Sequence, residues 1–205
     1  MPIDFFATPC SNSRGNCSTE PINCLQLIPN SLWGISDIDG GNNIPAKINI
    51  VNPNSTTDFI VNNNSNAQVT FKAVDWCVDI YRTGTYSVDD ETRDIVNFSS
   101  DSVDTSVKGL IKRCEGFLKF NNTIVFIEIK NRPRGRGGWL KDAREKFEET
   151  ILSFREHHPA MATQIVKPIL SNPSFYGLHQ NETIQKKILK DKIGLEFMRQ
   201  DQIFI

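Results

Sequence analysis

The stretch RCEGFLKFNNTIVFIEIKNR, residues 113 to 132, constrains the fold more than any other part of the chain. Two apolar runs flank Asn121-Asn122, and in the second Val125, Phe126 and Ile127 are apolar on both faces, the pattern of a central strand. Asn tolerates positive φ, so the Asn pair predicts a two-residue hairpin loop. That loop sets the register: Phe120 faces Thr123, and counting outward places Glu115 opposite Glu128. Because side chains alternate along a strand, Glu115, Phe117, Phe126, Glu128 and Lys130 share one face. Facing carboxylates repel, and each ionised carboxylate taken out of water costs several kcal/mol unless something compensates. A divalent cation would compensate. Hard oxygen ligands suit Mg²⁺ or Mn²⁺, which keep several waters and take one or two protein carboxylates. Lys130, two residues beyond Glu128, is placed to orient an attacking water or to neutralise charge developing at phosphorus. The competing reading is a solvated strand edge in which Glu128 and Lys130 make a cross-strand contact to Arg113. The apolar residues before Glu128 weigh against it.

The rest of the chain supplies a setting for this hairpin. At 205 residues with 39% hydrophobic and 23% charged, the composition is that of one globular domain with a single core. Residues 1–45 are rich in Ser, Asn, Pro and Gly, and only CLQLIPNSLWGI is apolar, so this segment is expected to be loop-rich, with one or two helical turns and some added β structure. From Ala46 to Phe120 come β-type runs, AKINIV, TDFIV and AQVTFKAVDWCVDIY, with SVDDETRDIVNFSSDSVDTS expected as a polar loop or insertion. Beyond the hairpin, GWLKDAREKFEETILSFREHH places Leu140, Ala143, Phe147, Ile151 and Phe154 at amphipathic-helix spacing. TQIVKPILS then reads as a strand, ETIQKKILKDKI as a second helix and LEFMRQDQIFI as a closing strand or hairpin. The fold class is therefore α/β (α+β), a mixed central sheet flanked by helices over residues 46–205, preceded by the segment 1–45.

A formal charge of −1 gives no global field toward nucleic acid or an anionic membrane, so any basic partner site is local. The N-terminal MPIDFFATPC lacks a basic n-region and an apolar h-region, and no run is long enough to span a bilayer, which predicts a cytoplasmic protein without a membrane partner. In such a chain the Asn-x-Ser/Thr matches are chance. The five cysteines, Cys10, Cys17, Cys24, Cys77 and Cys114, are an odd number, which argues against a disulfide framework. Cys10, Cys17 and Cys24 are evenly spaced, but six intervening residues match no common zinc knuckle, so reduced, partly buried thiols are the expectation; the zinc alternative would enlist Cys77 as fourth ligand.

An acidic residue, a hairpin, an apolar strand ending Glu-x-Lys, an amphipathic helix and a further strand together resemble the catalytic core of the PD-(D/E)XK, or restriction-endonuclease-like, nuclease superfamily. The resemblance spans roughly residues 70–205. It implies metal ligation by Glu115 and Glu128, catalysis by Glu115, Glu128 and Lys130, Mg²⁺ or Mn²⁺ as cofactor, and DNA as substrate. Two departures stand out: the first acid is Glu115 where the family usually has Asp, and no Pro precedes it. Many members also carry an N-terminal helical acid. None is evident here, although Asp75 in KAVDWCVD is placed to approach from the preceding strand.

Directly after Lys130 comes KNRPRGRGGW, in which Arg132, Arg134 and Arg136 can fork onto phosphate oxygens while the glycines permit close backbone approach. The bland alternative is a solvated basic loop with Trp139 packed under the helix. His157-His158 at the helix end suits the helix dipole better than a metal. The sequence thus predicts a Mg²⁺-dependent nuclease hydrolysing DNA phosphodiesters, in a role such as restriction or phage defence. The rival is a non-catalytic, immunity-type regulatory protein on the same fold, with a protein partner or a homodimer in place of a substrate.

Overall fold

The computed structural model describes residues 3–8, 10, 24–37, 45–50, 58–80, 84–88, 91–95, 111–131, 138–174, 177 and 181–205. The protein is a mixed α+β fold with a six-stranded sheet, a four-stranded sheet and a separate two-stranded ladder.

The hairpin builds the middle of the large sheet. β8 (Gly116–Phe120) and β9 (Thr123–Ile129) pair antiparallel with Phe120 against Thr123 and Gly116 against Ile127, the register fixed by the Asn turn. Asn121 sits at φ 49°, in the left-handed region that Asn tolerates. Outside β8 lie β5 (Val69–Ala73) and β1 (Leu25–Ile28), both antiparallel to their neighbours. On the other side β10 (Ile169–Ser171) and β11 (Met198–Arg199) run parallel, giving the order β1-β5-β8-β9-β10-β11.

Parallel neighbours need crossover connections, and two described α-helices supply them. α1 (Trp139–His157) links β9 to β10, and α2 (Glu182–Ile193) links β10 to β11. Lys146, Thr150 and Phe154 of α1 are four residues apart, so they form one stripe on the helix, and that stripe lies on the Glu115–Glu128 face of the sheet. At one end of the stripe, the Phe154 ring packs 5.5 Å from Phe117 and 5.4 Å from Phe126. In the middle, Thr150 Oγ1 accepts a 2.9 Å hydrogen bond from the Cys114 amide. Phe5 and Phe6 of the N-terminal segment close the Phe154 end, and His158 Nε2 accepts a hydrogen bond from the Phe5 amide at 3.2 Å. Burial depresses the His158 pKa, which matches an acceptor nitrogen. This histidine therefore packs and positions the N-terminal segment.

The smaller sheet, in the order β12-β4-β2-β3, comprises β2 (Leu32–Ser36), β3 (Lys47–Asn49), β4 (Phe59–Asn62) and β12 (Gln202–Phe204) around buried Trp33, Phe59 and Val61. Ser171 ties the sheets together by donating to the Asp58 carbonyl at 2.6 Å.

Three sequence expectations need correction. The polar segment after Tyr86 is not all loop: β6 (Gly84–Val88) and β7 (Glu91–Ile95) pair antiparallel, because short alternating runs flank a two-residue connection. The apolar cluster in residues 1–45 forms strands β1 and β2, not helical turns. Of the two alternatives for the C-terminus, strand holds and hairpin does not, since β11 and β12 enter different sheets, each parallel to its neighbour.

The hairpin base is sterically tight. A Cβ added at Gly116 would collide with the Lys72 carbonyl oxygen and lie 2.8 Å from Phe71 Cε2. Gly116→Ala should therefore destabilise the protein by about 3 kcal/mol, read as a lower denaturant midpoint at unchanged m-value.

Candidate active site

Glu128 lies on a central strand, between β8 and β10, and is fully buried. The solvated-edge alternative therefore fails. Glu115 is one residue outside the β8 ladder, in the continued register, and its carbonyl accepts from the Val74 amide at 2.9 Å. That step past the ladder end places Glu115 and Glu128 on the same face, and both are buried beneath α1.

Their charges converge on one ammonium. Lys146 Nζ, reaching in from α1, lies 3.2 Å from Glu115 Oε1, 3.0 Å from Glu128 Oε1 and 3.6 Å from Asp75 Oδ2. Lys130 Nζ lies 2.7 Å from Glu128 Oε1 and 2.8 Å from Asp142 Oδ2. Glu128 Oε1 thus receives two ammonium groups, while its Oε2 is buried with no hydrogen-bond partner among the described residues. Asp75 is held by Arg113, whose guanidinium bridges Asp75 and Asp79 at 3.0 Å each. Arg113 therefore serves these aspartates and not Glu128.

Protonation follows from burial set against these contacts. Desolvation pushes the Glu115 carboxyl well above the usual carboxylate range, with Lys146 opposing and Glu128 reinforcing. Glu128 is raised for the same first reason, with Lys146 and Lys130 opposing. Burial acts to lower Lys146 and Lys130, but the surrounding carboxylates outweigh it and raise both. Asp142 goes the other way: burial would raise it, yet Lys130 and Lys112 hold it down to about 2.

The donor chemistry fits a hard divalent cation only in part. Three carboxylates face one locus and Glu128 Oε2 is an orphaned buried acceptor, which suits Mg²⁺ or Mn²⁺. Against this, Lys146 already stands among the three acids. Among the described residues, the only His, Cys, Asp or Glu group of three or more whose ligand atoms all lie within 4.8 Å of one another is Cys10, Cys24 and Cys77. A cation held by all three acids must therefore displace the Lys146 ammonium and draw Asp75, Glu115 and Glu128 closer.

The structure brings together Glu115, Glu128 and Lys130, and Asp75, named in the sequence as an acid that approaches from the preceding strand, joins them through Lys146. Arg132, Arg134 and Arg136 lie outside the described residues, as does Cys17. Lys146 and Asp142 were missed. The signal for Lys146 was present in the helix pattern: it falls three residues after Ala143, so an ammonium borders the predicted apolar face. Cys24 is disulfide-bonded, against the expectation of reduced thiols. No helix among the described residues is long and apolar enough to cross a membrane. Comparison with family models, curated proteins and solved structures finds no match.

Proposed function

We propose that this chain is a metal-dependent nuclease of the restriction-endonuclease-like type, hydrolysing DNA phosphodiester bonds. The observation that carries the reading is the convergence of Asp75, Glu115, Glu128 and Lys130 on one sheet face, with an acceptor oxygen of fully buried Glu128 left unpaired. The order of elements supports it: antiparallel β5, β8 and β9, a crossover helix and parallel β10 match the arrangement that the resemblance implies. Glu115 and Glu128 would hold Mg²⁺ or Mn²⁺, and the bound ion would supply Lewis-acid polarisation of a phosphoryl oxygen and an acidified water. Lys130, held between Glu128 and Asp142, contributes a positive charge where negative charge builds on the pentavalent phosphorus. Lys146 neutralises the acids until the cation arrives. A role in restriction or phage defence, and with it a cytoplasmic location, follows from this reading.

Incubation of supercoiled plasmid with purified protein, with and without Mn²⁺ and with chelator, tests the proposal. Nicking or linearisation that requires the cation is expected; intact plasmid in every condition counts against it.

A second reading has its own observation. Lys146 occupies the locus a cation would need, so the acids can be a self-neutralised structural cluster in a non-catalytic protein that binds a protein partner or a second copy of itself. Such a protein would show neither cleavage nor divalent-ion binding at the acids.

The basic run between β9 and α1 provides an independent check on the DNA partner. Replacing Arg132, Arg134 and Arg136 together by Gln should weaken binding to all duplex sequences alike and flatten the dependence of affinity on salt, because phosphate contacts release counterions without reading bases. Unchanged affinity and salt slope in a fluorescence anisotropy titration would reduce the run to solvated surface.

A further inference from the structure

Away from the acids, three sulfurs from distant parts of the chain meet. Cys10 follows the N-terminal phenylalanines, Cys24 directly precedes β1, and Cys77 lies in the turn after β5, where its amide donates to the Val74 carbonyl at 3.0 Å. Their Sγ atoms all lie within 4.8 Å of one another, and the Cys77 and Cys24 sulfurs are 2.7 Å apart. Cys77 is completely buried and Cys24 nearly so. These are three of the four cysteines that the zinc alternative enlisted, although their spacing matches no common knuckle. A zinc knuckle closes a short chelate loop, whereas here the β1–β5 pairing brings Cys24 and Cys77 together and Lys72 of β5 meets Cys10.

The surroundings are those of an anionic site. Lys72 of β5 is fully buried, and its Nζ reaches the Cys10 sulfur at 2.9 Å and the Ala7 carbonyl at 3.1 Å. A buried ammonium requires compensating negative charge. Three thiolates around one Zn²⁺ carry a net charge of −1, which Lys72 would neutralise, and the Ala7 carbonyl accepts a second of its hydrogen bonds. With Zn–S bonds of about 2.3 Å, tetrahedrally arranged sulfurs stand about 3.8 Å apart, so zinc would part the Cys24 and Cys77 sulfurs from their 2.7 Å contact while keeping all three within the observed 4.8 Å.

We infer that Cys10, Cys24 and Cys77 form a thiolate site for a borderline-soft divalent ion, Zn²⁺, which pins the N-terminal segment to the edge of the large sheet in the reduced chain. Zinc requires Cys24 as a thiolate, so the Cys24 disulfide and the metal are mutually exclusive states. A dithiol reductant converts one to the other: it is oxidised to its own disulfide, the Cys24 disulfide gains two electrons and two protons to give two thiols, and zinc then displaces the thiol protons to solvent. The site takes a different class of metal from the acid cluster, because soft sulfur ligands and hard carboxylates select different ions.

The test uses the full chain purified under a dithiol reductant, with zinc measured by elemental analysis and the shell by X-ray absorption. About one equivalent of zinc with at least three sulfur neighbours is expected, along with intense sulfur-to-metal charge-transfer bands when Co²⁺ is substituted. Cys10→Ser and Cys77→Ser should each lower zinc affinity at least tenfold, while Cys114→Ser, elsewhere in the core, and Glu128→Gln should leave it unchanged. Because the serine variants can also lose their fold, the absorption measurement on the wild type stands alone. Reduced protein that binds no zinc, or zinc in a shell without sulfur, overturns the inference. Plasmid cleavage has no bearing on either result.

Discussion

Lys146→Met should destabilise the cation-free protein by about 3–5 kcal/mol at neutral pH, the cost of stripping buried charges of their partner. Lys146 is the ammonium that Glu115, Glu128 and Asp75 share, and it is itself mostly buried. Methionine keeps the length and apolar character of the stem, so packing against the sheet is largely retained and the loss reports on charge. Glu115 then has no remaining ammonium among its described ion pairs, while Glu128 keeps Lys130. The pH dependence follows. Burial raises the Glu115 pKa above its ordinary value of 4.5, so the folded state holds a proton that the unfolded state has released. Stability from this group is therefore fully present below about pH 4.5 and is lost as the pH rises through the folded pKa. Removing Lys146 widens that shift, so variant and wild type should be nearly equal in acid and diverge as the pH approaches neutrality. Millimolar Mn²⁺ should then raise the melting temperature of the variant more than that of the wild type, because no lysine has to be displaced. Equal urea midpoints for the two proteins at pH 7, with no response to Mn²⁺, would show that the cluster does not depend on Lys146.

The contrast between what the sequence disclosed and what it concealed turns on range. The hairpin was legible because its determinants are local: Asn121-Asn122 set the loop, and a strict period of two carried the register from Phe120–Thr123 out to Glu115 and Glu128. Both helices were legible from apolar periodicity, with Glu182–Ile193 matching its predicted run. Lys146 was missed despite its place beside the apolar face, because a charged residue on a helix reads as solvated until the partner surface is known, and here that surface is a pair of carboxylates. The cysteine cluster was legible only as the less favoured zinc alternative, since Cys77 meets Cys24 through strand pairing over 53 residues of separation. The C-terminal strands failed differently: β11 and β12 are two and three residues long, too short for periodicity to say which sheet each joins.

The second large effect separates chemistry from architecture. Glu128→Gln and Lys130→Met should each reduce cation-dependent cleavage by at least about 10²-fold, the loss typical of removing one group that stabilises a developing oxyanion. The two should part in metal affinity. Gln offers a neutral oxygen where the cation needs a charged one, so Mn²⁺ binding at the acids should be lost, whereas Lys130→Met removes a neighbouring positive charge and should keep or strengthen it. Stability gives a third readout. In Glu128→Gln, Lys146 retains Glu115 and Asp75, and Lys130 retains Asp142. Every ammonium keeps a carboxylate while a crowded negative charge disappears, so the cation-free variant should be at least as stable as the wild type. A cluster built only for structure predicts instead a loss of about 3–5 kcal/mol, as when one partner of a buried pair is deleted. Calorimetric titration with Mn²⁺, plasmid cleavage and urea denaturation on the same three proteins decide between these outcomes. Wild type that neither binds Mn²⁺ nor cleaves, together with a clearly destabilised Glu128→Gln, would make Lys146 the permanent occupant of the acid cluster and the chain a non-catalytic protein.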